Sequence, residues 1–350
     1  MRKSLRATAM TALAIPAIVI AAGAANAQDD TFKVGMAVGG NPCCDWMKAP
    51  GDVARALAEQ RGWEYLELSN NNDPAVAVQN AQIFAQEGVD VVIQFNGQPS
   101  SNPAGAQILG AANIPTITYD IAQEGMYFVG IDNLAAGIAG GEALGQIVKD
   151  EWNCEPDLVI SAEGAVAGIV NEWRTGGMRT GLKNVCPDIP EEKWVSFESQ
   201  GDAAVGLPAA RDLLASHPDA VRMAVVGLND GGVLSAIQAA EQLGRADEMI
   251  GWGQDGAFIT GDNVNPHLVG SVFYFLEGYA VYAFRDIIDP IAAGNAPPVK
   301  WEAGDPASRV EPCPVSAEEA ANVPDMDERV EQLLAAPEGT TAFELFCPTA

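Results

Sequence analysis

The sequence has few histidines and few basic residues for its length. Of its 350 residues, two are histidine and 19 are lysine or arginine, against 47 aspartates and glutamates, so the formal net charge is −28. A chain whose only histidines are His217 and His267 cannot build a histidine-rich metal site, and we expect neither a metal nor a cofactor. The shortage of basic residues argues against nucleic acid and anionic lipid as main partners, because binding phosphate requires a basic face.

Sequence motifs of common enzyme classes are also missing. The sequence has no P-loop and no nucleophile elbow, and the glycines at residues 38–41 lack the spacing of a dinucleotide-binding fingerprint. A glycosidase needs two carboxylates that flank the scissile bond, for which Asp120 and Asp255 could serve by residue type alone. We therefore expect a protein that is not an enzyme, with a carbohydrate-active enzyme as the weaker alternative.

The first 27 residues have the pattern of a secretory signal peptide. Three basic residues within the first six are followed by an apolar run at residues 11–23, and Ala25-Asn26-Ala27 forms a small-x-small cleavage site. The alternative is an uncleaved membrane anchor, which the weakly hydrophobic run, interrupted by Pro16, disfavours. We expect cleavage after Ala27 and export to the periplasm.

Export makes the cysteines candidates for disulfide bonds. Six cysteines allow 15 connectivities, and the sequence alone does not choose among them. Cys154 and Cys186 flank one strand–helix unit, and Cys313 and Cys347 bracket the acidic C-terminal segment. We predict these two pairs.

Strand-type and helix-type segments alternate along the chain. The strand-type runs of the first half are residues 32–38, 63–68, 89–95 and 115–119. Segments with helical spacing lie between them, and Gly62 and Gly88 end the first two helices. The same alternation restarts after Asp132 and continues to residue 253. This pattern predicts an α/β fold with two similar halves, each a doubly wound parallel sheet covered by helices on both faces.

The two halves are joined without long linkers. Crossovers between them are predicted near residues 129–133 and 270–274, and a helix is predicted to resume after Phe273. Residues 301–350, which are rich in proline and acid, are predicted to form an appended tail that braces the hinge or the second half.

Polar and aromatic residues follow the predicted strands. In open α/β sheets, ligands bind beyond the carboxyl ends of the strands, so these residues are candidates for a binding site. They are Asn41, Asp45 and Trp46 after the first strand, Asn96 after the third, Asp120, Trp173, Arg174, Asn229, Asp255 and Tyr274. Carboxylates, amides and a guanidinium pair with vicinal hydroxyls, and an aromatic ring covers the C–H face of a sugar. The alternative for any single Asp or Asn is a turn or helix cap.

The segments VGMAVGGNP, IPTITYD, VGIDNLAAGIAGGEALG, NEWRTGG, VVGLNDG and WGQDG occur in this order, with LELSNNNDPAVAVQNAQIFAQEGVDVVIQFN after the first. The chain thereby resembles periplasmic sugar-binding proteins of ABC importers, of the ribose-binding type, over residues 31–296. The resemblance implies two lobes joined by three crossovers, the fold called periplasmic binding protein type 1. It also implies that a monosaccharide or polyol is captured between the lobes by hinge closure and passed to a membrane permease. We expect a monomer.

The resemblance gives the lobe boundaries. The N-terminal lobe comprises residues 28–131 with 273–298, the C-terminal lobe residues 132–272 with 299–312, and residues 313–350 form an acidic extension. A ligand-presenting sensor for a chemoreceptor or kinase has the same fold and site, so this alternative to transport stays open.

The resemblance also assigns site residues. Asp120 matches the family's I-P-V-I-x-x-D, Arg174 its x-E-R-G-x-G, Asn229 its x-N-D and Asp255 its G-x-D. Tyr274 occupies a position where many members have Gln or Asn.

Two departures from the family pattern leave the ligand open. Ribose binders have two phenylalanines after N-P, whereas this chain has Cys43-Cys44-Asp45-Trp46, so Trp46 is the candidate for stacking on the sugar. Cys43 and Cys44 can bond elsewhere, stay reduced or face a ligand, since a bridge between adjacent cysteines is strained. Ile121 replaces the arginine that commonly follows the aspartate.

Overall fold

The computed structural model describes residues 31–38, 48–71, 73–97, 99–260, 264–296 and 310–348. The predicted signal peptide lies outside these residues, as do Asn41, Asp45 and Trp46 among the predicted site residues and the adjacent Cys43 and Cys44. Within the described part of the chain, no helix combines the length and the apolar character needed to cross a membrane.

The first sheet is formed by residues 33–129. Its strands and helices are β1 (Lys33–Val38), α1 (Lys48–Gln60), β2 (Glu64–Ser69), α2 (Pro74–Glu87), β3 (Val91–Gln94), α3 (Asn102–Ala111), β4 (Thr116–Tyr119) and β5 (Tyr127–Val129). The strands are parallel in the order β2-β1-β3-β4-β5. The ends of α2 follow from its sequence: the Asp73 carboxylate accepts the Ala75 and Val76 N–H groups, and Gly88 adopts a left-handed φ of 63°.

The second sheet contains six strands. Its elements are α4 (Asn133–Trp152), β6 (Leu158–Glu163), α5 (Ile169–Val185), β7 (Trp194–Glu198), α6 (Ala203–Ser216), β8 (Met223–Gly227), α7 (Asp230–Gln242), β9 (Met249–Asp255), β10 (Leu268–Phe273) and β11 (Cys313–Ser316). The strand order is β11-β10-β9-β8-β6-β7, and only the β10–β11 pair of this sheet is antiparallel. Helices α4 and α5 pack together, as do α6 and α7. The predicted α/β class with two doubly wound sheets is confirmed.

The chain passes between the two sheets at three neighbouring places. It leaves β5 through residues 130–132, and it returns after β10 to a helical segment that packs on α1. That segment runs from a 3₁₀ turn at Leu276–Gly278 through α8 (Tyr279–Ala283) and a π-helical turn to α9 (Asp289–Ala292). The third crossing is marked by Val310, which forms a parallel bridge with Ile131.

The second crossing begins later in the sequence than the predicted crossover near residues 270–274. Residues 270–273 were expected to belong to the crossover, but they continue β10 to Phe273. The reason is packing: Gly270 lies against the buried ring of Trp252, where a side chain would not fit, so this short apolar stretch is interior strand. The tail is also more ordered than the pattern indicated, since it contains β11, α10 (Ala317–Ala320), α11 (Met326–Ala335) and α12 (Ala342–Phe346).

Both predicted disulfide bonds are present. The Cα atoms of Cys154 and Cys186 lie 5.3 Å apart, and those of Cys313 and Cys347 lie 5.9 Å apart. The first bond links the end of α4 to the end of α5, and the second links β11 to the residue after α12.

Glycines bring α4 and α5 into close contact. A Cβ added at Gly141 would collide with the carbonyl of Met178, and one added at Gly181 would collide with the carbonyl of Ile138. This close approach places the first residue of α4, Asn133, beside the α5 residues that face the crossings between the sheets.

Replacing Gly181 by alanine should therefore destabilise the protein by roughly 1–3 kcal/mol, because the methyl group has to push the two helix backbones apart. Chemical denaturation measures this change. Gly176 lies on the same helix with open space around its Cα. Gly176→Ala should instead raise stability by up to about 1 kcal/mol through helix propensity. Equal effects of the two substitutions would contradict this account of the packing.

Candidate ligand-binding site between the two sheets

A buried ion pair joins the two sheets. Asp120 follows β4 of the first sheet, and Arg174 lies on α5 beside the second. The Arg174 Nη2 donates to the Asp120 Oδ2 at 2.6 Å, and the side chains of Arg174 and Asp120 are only 7% and 9% exposed. Burying two charges is costly unless they pair with good geometry and satisfy their remaining hydrogen-bonding groups.

The guanidinium of Arg174 is held on three further sides. Its Nε donates to the Asn133 Oδ1 at 2.6 Å, and its Nη1 makes a longer contact, at 3.4 Å, with the Leu228 carbonyl oxygen. Its Cζ lies 4.7 Å from the centre of the Tyr274 ring. Burial is the largest single influence and disfavours the charged form, but Asp120 acts against it together with Tyr274, Tyr279 and Asp255. The pKa of Arg174 is therefore raised and the residue stays cationic.

Asp120 is fixed by its backbone and by a tyrosine. Its φ of 59° lies in the left-handed region, which turns the chain sharply at the end of β4. The Tyr279 hydroxyl, on the segment that returns from the second sheet, donates to the Asp120 Oδ1 at 3.1 Å. Burial raises the pKa of Tyr279 well above its ordinary value, so this hydroxyl remains a donor. Both carboxylate oxygens of Asp120 thus have partners.

Tyr274 is fully buried in the second crossing. Its hydroxyl donates to the Gln254 Oε1 at 2.6 Å, and the Gln254 Nε2 in turn donates to the Gly227 carbonyl oxygen at 3.3 Å. The donor of Tyr274 is therefore used within the protein, while its ring faces the guanidinium of Arg174.

Asp255 ends β9 in a second left-handed turn, with a φ of 89°. Its Oδ1 accepts the Ala257 N–H at 3.0 Å. Behind it lies Asp230, which accepts the Ser271 hydroxyl at 2.6 Å and the Phe258 N–H at 3.0 Å. Burial, followed by the charge of Asp230, raises the pKa of Asp255 well above its ordinary value, and burial raises the pKa of Asp230 to about 7.

Some of the described candidates lie together at the buried ion pair, whereas others make only local hydrogen bonds. Asp120, Arg174 and Tyr274 are in direct contact, and Asp255 is close enough to Arg174 for their charges to interact. Trp173 is half-buried next to Arg174 on α5.

Asn229 and Asn96 are engaged in local hydrogen bonds. The Asn229 Oδ1 caps α7 by accepting the Gly232 N–H at 2.9 Å, and its Nδ2 donates to the Gly201 carbonyl oxygen. Asn229 therefore has the capping role that was the alternative for this residue type. Asn96 donates to the side chains of Ser101 and Asn102 at the start of α3.

Two residues of this network, Gln254 and Tyr279, were not among the sequence candidates. Asn133, at the first crossover, and Asp230, next to Asn229, belong to the polar residues that follow the predicted strands. Tyr279 lies within a helical segment and contacts a residue 159 positions earlier, so no local pattern indicates it.

Comparisons with known proteins agree with this architecture. The sequence profile of the family described as periplasmic binding protein domain matches residues 40–268. The ribose import binding proteins RbsB of Escherichia coli (strain K12) and Haemophilus influenzae are each 26% identical, over 70% of this chain and 78% or 80% of the relative.

Solved structures show the same fold. A periplasmic solute-binding protein of an ABC transporter from Actinobacillus succinogenes 130z, with bound D-allose, superposes with a TM-score of 0.68 at 16% identity, covering 83% of this chain and 99% of the other. The Caulobacter myo-inositol binding protein bound to myo-inositol gives a TM-score of 0.67 at 19% identity, covering 83% and 96%.

The raised pKa of Asp230 predicts a pH dependence of stability. An acid whose folded pKa of about 7 exceeds its unfolded value of 3.8 binds more protons when folded, so stability falls as the pH rises through this window. We expect the loss between pH 5 and pH 8 to be on the order of 2 kcal/mol.

Urea denaturation at both pH values, with Asp230→Asn as the reference, isolates this contribution from the other titrating carboxylates. Asparagine can still pair with Ser271 and the Phe258 N–H but cannot ionise. The unfolding free energy of wild type should therefore fall more than that of the variant. The charged groups facing the site, Asp255, Asp120 and Arg174, are common to both proteins. Parallel pH profiles would contradict the raised pKa.

Proposed function

Because this chain belongs to the periplasmic binding protein domain family, we propose that it captures a monosaccharide or related polyol between its two sheets and delivers it to the permease of an ABC importer. The observation that carries the proposal is the contact of Asp120, at the carboxyl end of β4 in the first sheet, with Arg174, on helix α5 beside the second sheet. We further propose that residues 1–27 direct the protein to the periplasm and are removed there.

The relatives support a sugar-type ligand. Two of them are ribose import binding proteins, and two of the solved structures that share the fold hold D-allose and myo-inositol. These relatives are binding proteins, and we propose the same for this chain, with no chemical change of the ligand.

The chemistry of the site suits a neutral ligand with several hydroxyl groups. The hydrogen bonds of Arg174 within the protein use its Nε–H and one N–H on each terminal nitrogen, so two N–H groups remain to donate to ligand oxygens. Asp120 and Asp255 can accept from ligand hydroxyls. Because the pKa of Asp255 is raised, its carboxyl group can also be protonated and donate.

We propose that the ligand acts by favouring the closed arrangement of two lobes. These are residues 28–131 with 273–298, and residues 132–272 with 299–312, as the family resemblance implies. Asp120 on one lobe and Arg174 on the other come within reach of the same ligand only when the lobes meet, so a ligand that bridges both groups gains contacts on closure and shifts the population towards it. The closed form then presents both lobes to the permease.

A thermal-shift screen against D-ribose, D-allose, D-galactose, myo-inositol and glycerol tests the proposal. A ligand that binds only the folded state raises the melting temperature. The ligand with the largest shift is then measured by calorimetry and recovered to show that it is unchanged. Absence of a shift with all five compounds would count against a sugar or polyol ligand.

For the best ligand of that screen, Arg174→Ala and Asp255→Ala should each weaken binding by more than about 2 kcal/mol, because each leaves buried polar groups without partners. Arg179→Ala is the matched control, since Arg179 lies on the same helix and pairs with the exposed Glu191. The control should bind like wild type. Unchanged binding by either site variant, with its fold retained, would remove that residue from the site.

Tyr274 is proposed to position Arg174 through its ring. Tyr274→Phe keeps the ring and should retain affinity within about threefold, although the lost hydrogen bond to Gln254 should lower stability by roughly 1 kcal/mol. Tyr274→Leu removes the aromatic face and should weaken binding by about tenfold. Calorimetry and denaturation together separate the two effects. If Tyr274→Phe loses as much affinity as Tyr274→Leu, the hydroxyl rather than the ring is the important group.

A further inference from the structure

The C-terminal segment crosses between the sheets a fourth time. We call residues 310–348 the strap. It first adds β11 to the second sheet, with Cys313 paired opposite Phe273, and then runs back to place α11 against α1, which packs on the first sheet. The strap therefore contacts both halves of the molecule.

The first-sheet side of the strap is attached by polar contacts near its C-terminal end. The Arg61 Nη2, at the end of α1, lies 3.2 Å from the Glu338 Oε1. The Arg285 Nη1 donates to the Gly339 carbonyl oxygen at 3.1 Å. Farther along the strap, Ala342 lies close to Gly278 of the second crossing. A Cβ added to this glycine would be 2.8 Å from the Cβ of Ala342.

A buried ion pair attaches the strap at the second crossing. The Arg329 Nε donates to the Glu277 Oε1 at 2.6 Å, and these residues are 3% and 0% exposed. The guanidinium of Arg329 also lies 5.8 Å and 5.7 Å from the ring centres of Phe273 and Phe275. A buried pair of this kind makes separation of its partners costly, because each would leave an unpaired charge in the interior.

Phe275, whose ring faces Arg329, is adjacent in sequence to Tyr274 of the candidate site. Phe275 has a left-handed φ of 46°, which is strained for an aromatic residue and has to be held by its surroundings. The ring of Phe346, from the strap, packs 5.9 Å from the ring of Phe275. The neighbouring residue is Tyr274, whose ring supports the guanidinium of Arg174.

The strap is covalently closed. The disulfide bond between Cys313 and Cys347 joins its β11 end, in the second sheet, to its far end beside residues 275–278. Residues 313–347 thus form a ring that has one side in the second sheet and the other on α1.

We propose that the strap clamps the second crossing and thereby limits the opening of the two halves. This device goes beyond the binding function proposed above. The Cys313–Cys347 bond holds α11 and Phe346 in contact with residues 275–277 of the second crossing. This contact in turn holds the ring of Tyr274 against the guanidinium of Arg174. Opening of the halves then requires either movement of the whole ring or loss of its contacts on one side.

The second disulfide bond supplies a matched control. Cys154 and Cys186 are 32 residues apart in the sequence, against 34 for Cys313 and Cys347, so the effect of each bond on the unfolded chain is nearly equal. The Cys154–Cys186 bond lies between α4 and α5, beside the second sheet only. The test compares the strap variant, Cys313→Ser/Cys347→Ser, with the control variant, Cys154→Ser/Cys186→Ser, both without ligand.

Hydrogen–deuterium exchange and small-angle scattering test the clamp. The strap variant should exchange at least about tenfold faster than wild type in peptides covering residues 272–279 and 118–133, and its radius of gyration should increase. The control variant should change neither quantity, although both variants lose similar stability. Equal exchange of these peptides in the two variants, or faster exchange confined to residues 310–348, would overturn the proposal. Neither readout requires a ligand, so the result is independent of the proposed function.

A second variant covers the case in which the buried Cys313→Ser substitution prevents folding. Arg329→Met removes one partner of the buried ion pair and keeps the disulfide bond, so that the buried Glu277 carboxylate loses its cation and its attachment to the strap. The clamp predicts faster exchange of residues 272–279 in this variant too. Wild-type exchange there, in a folded variant without the ion pair, would contradict the clamp.

Discussion

The ion pair between Asp120 and Arg174 is the constraint on which the arrangement of the two sheets depends. Neither charge could be buried alone at an acceptable cost, so the surrounding residues are arranged to satisfy both. Asn133 comes from the first crossing, Tyr274 and Tyr279 come from the second, and each contacts one member of the pair. The position of the pair therefore depends on how these two crossings are arranged.

The site contains more carboxylates than cations in the part of the chain that the structure describes. Asp120 is neutralised by Arg174, whereas Asp255 and Asp230 lie together and share no cation of their own. Burial raises the pKa of both carboxyl groups, and the charge of Asp230 adds to the shift at Asp255. A protonated carboxyl group can donate to a ligand oxygen where a carboxylate can only accept.

The strap lies beyond residue 268, where the match to the family profile ends, and it contacts both halves of this chain. It brings a second buried ion pair, Arg329 with Glu277, to within two residues of Phe275. The two ion pairs therefore lie on either side of the same short crossing. One connects the two halves directly, and the other attaches the strap to the residues between them.

Local patterns in the sequence were sufficient for the alternation of strands and helices, because periodicity and capping residues act over a few positions. The family motifs also singled out Asp120, Arg174 and Asp255 as candidates, and the structure brings these three residues close together. The positions of the cysteines predicted both disulfide bonds. The role of Asn229 could not be predicted, because a helix cap and a ligand contact use the same residue type.

Only the tertiary structure decided which side chains meet. Arg174 and Asp120 are 54 residues apart in the sequence, and Tyr279 and Asp120 are 159 apart. Such pairs depend on how the crossings orient the two sheets, which no local periodicity encodes. The strap illustrates the same point, since its acidic, proline-rich composition predicted an appended tail that braces the hinge or the second half but not the residues that it contacts. Its contacts with both sheets arise from a strand register and a buried ion pair that exist only in the folded chain.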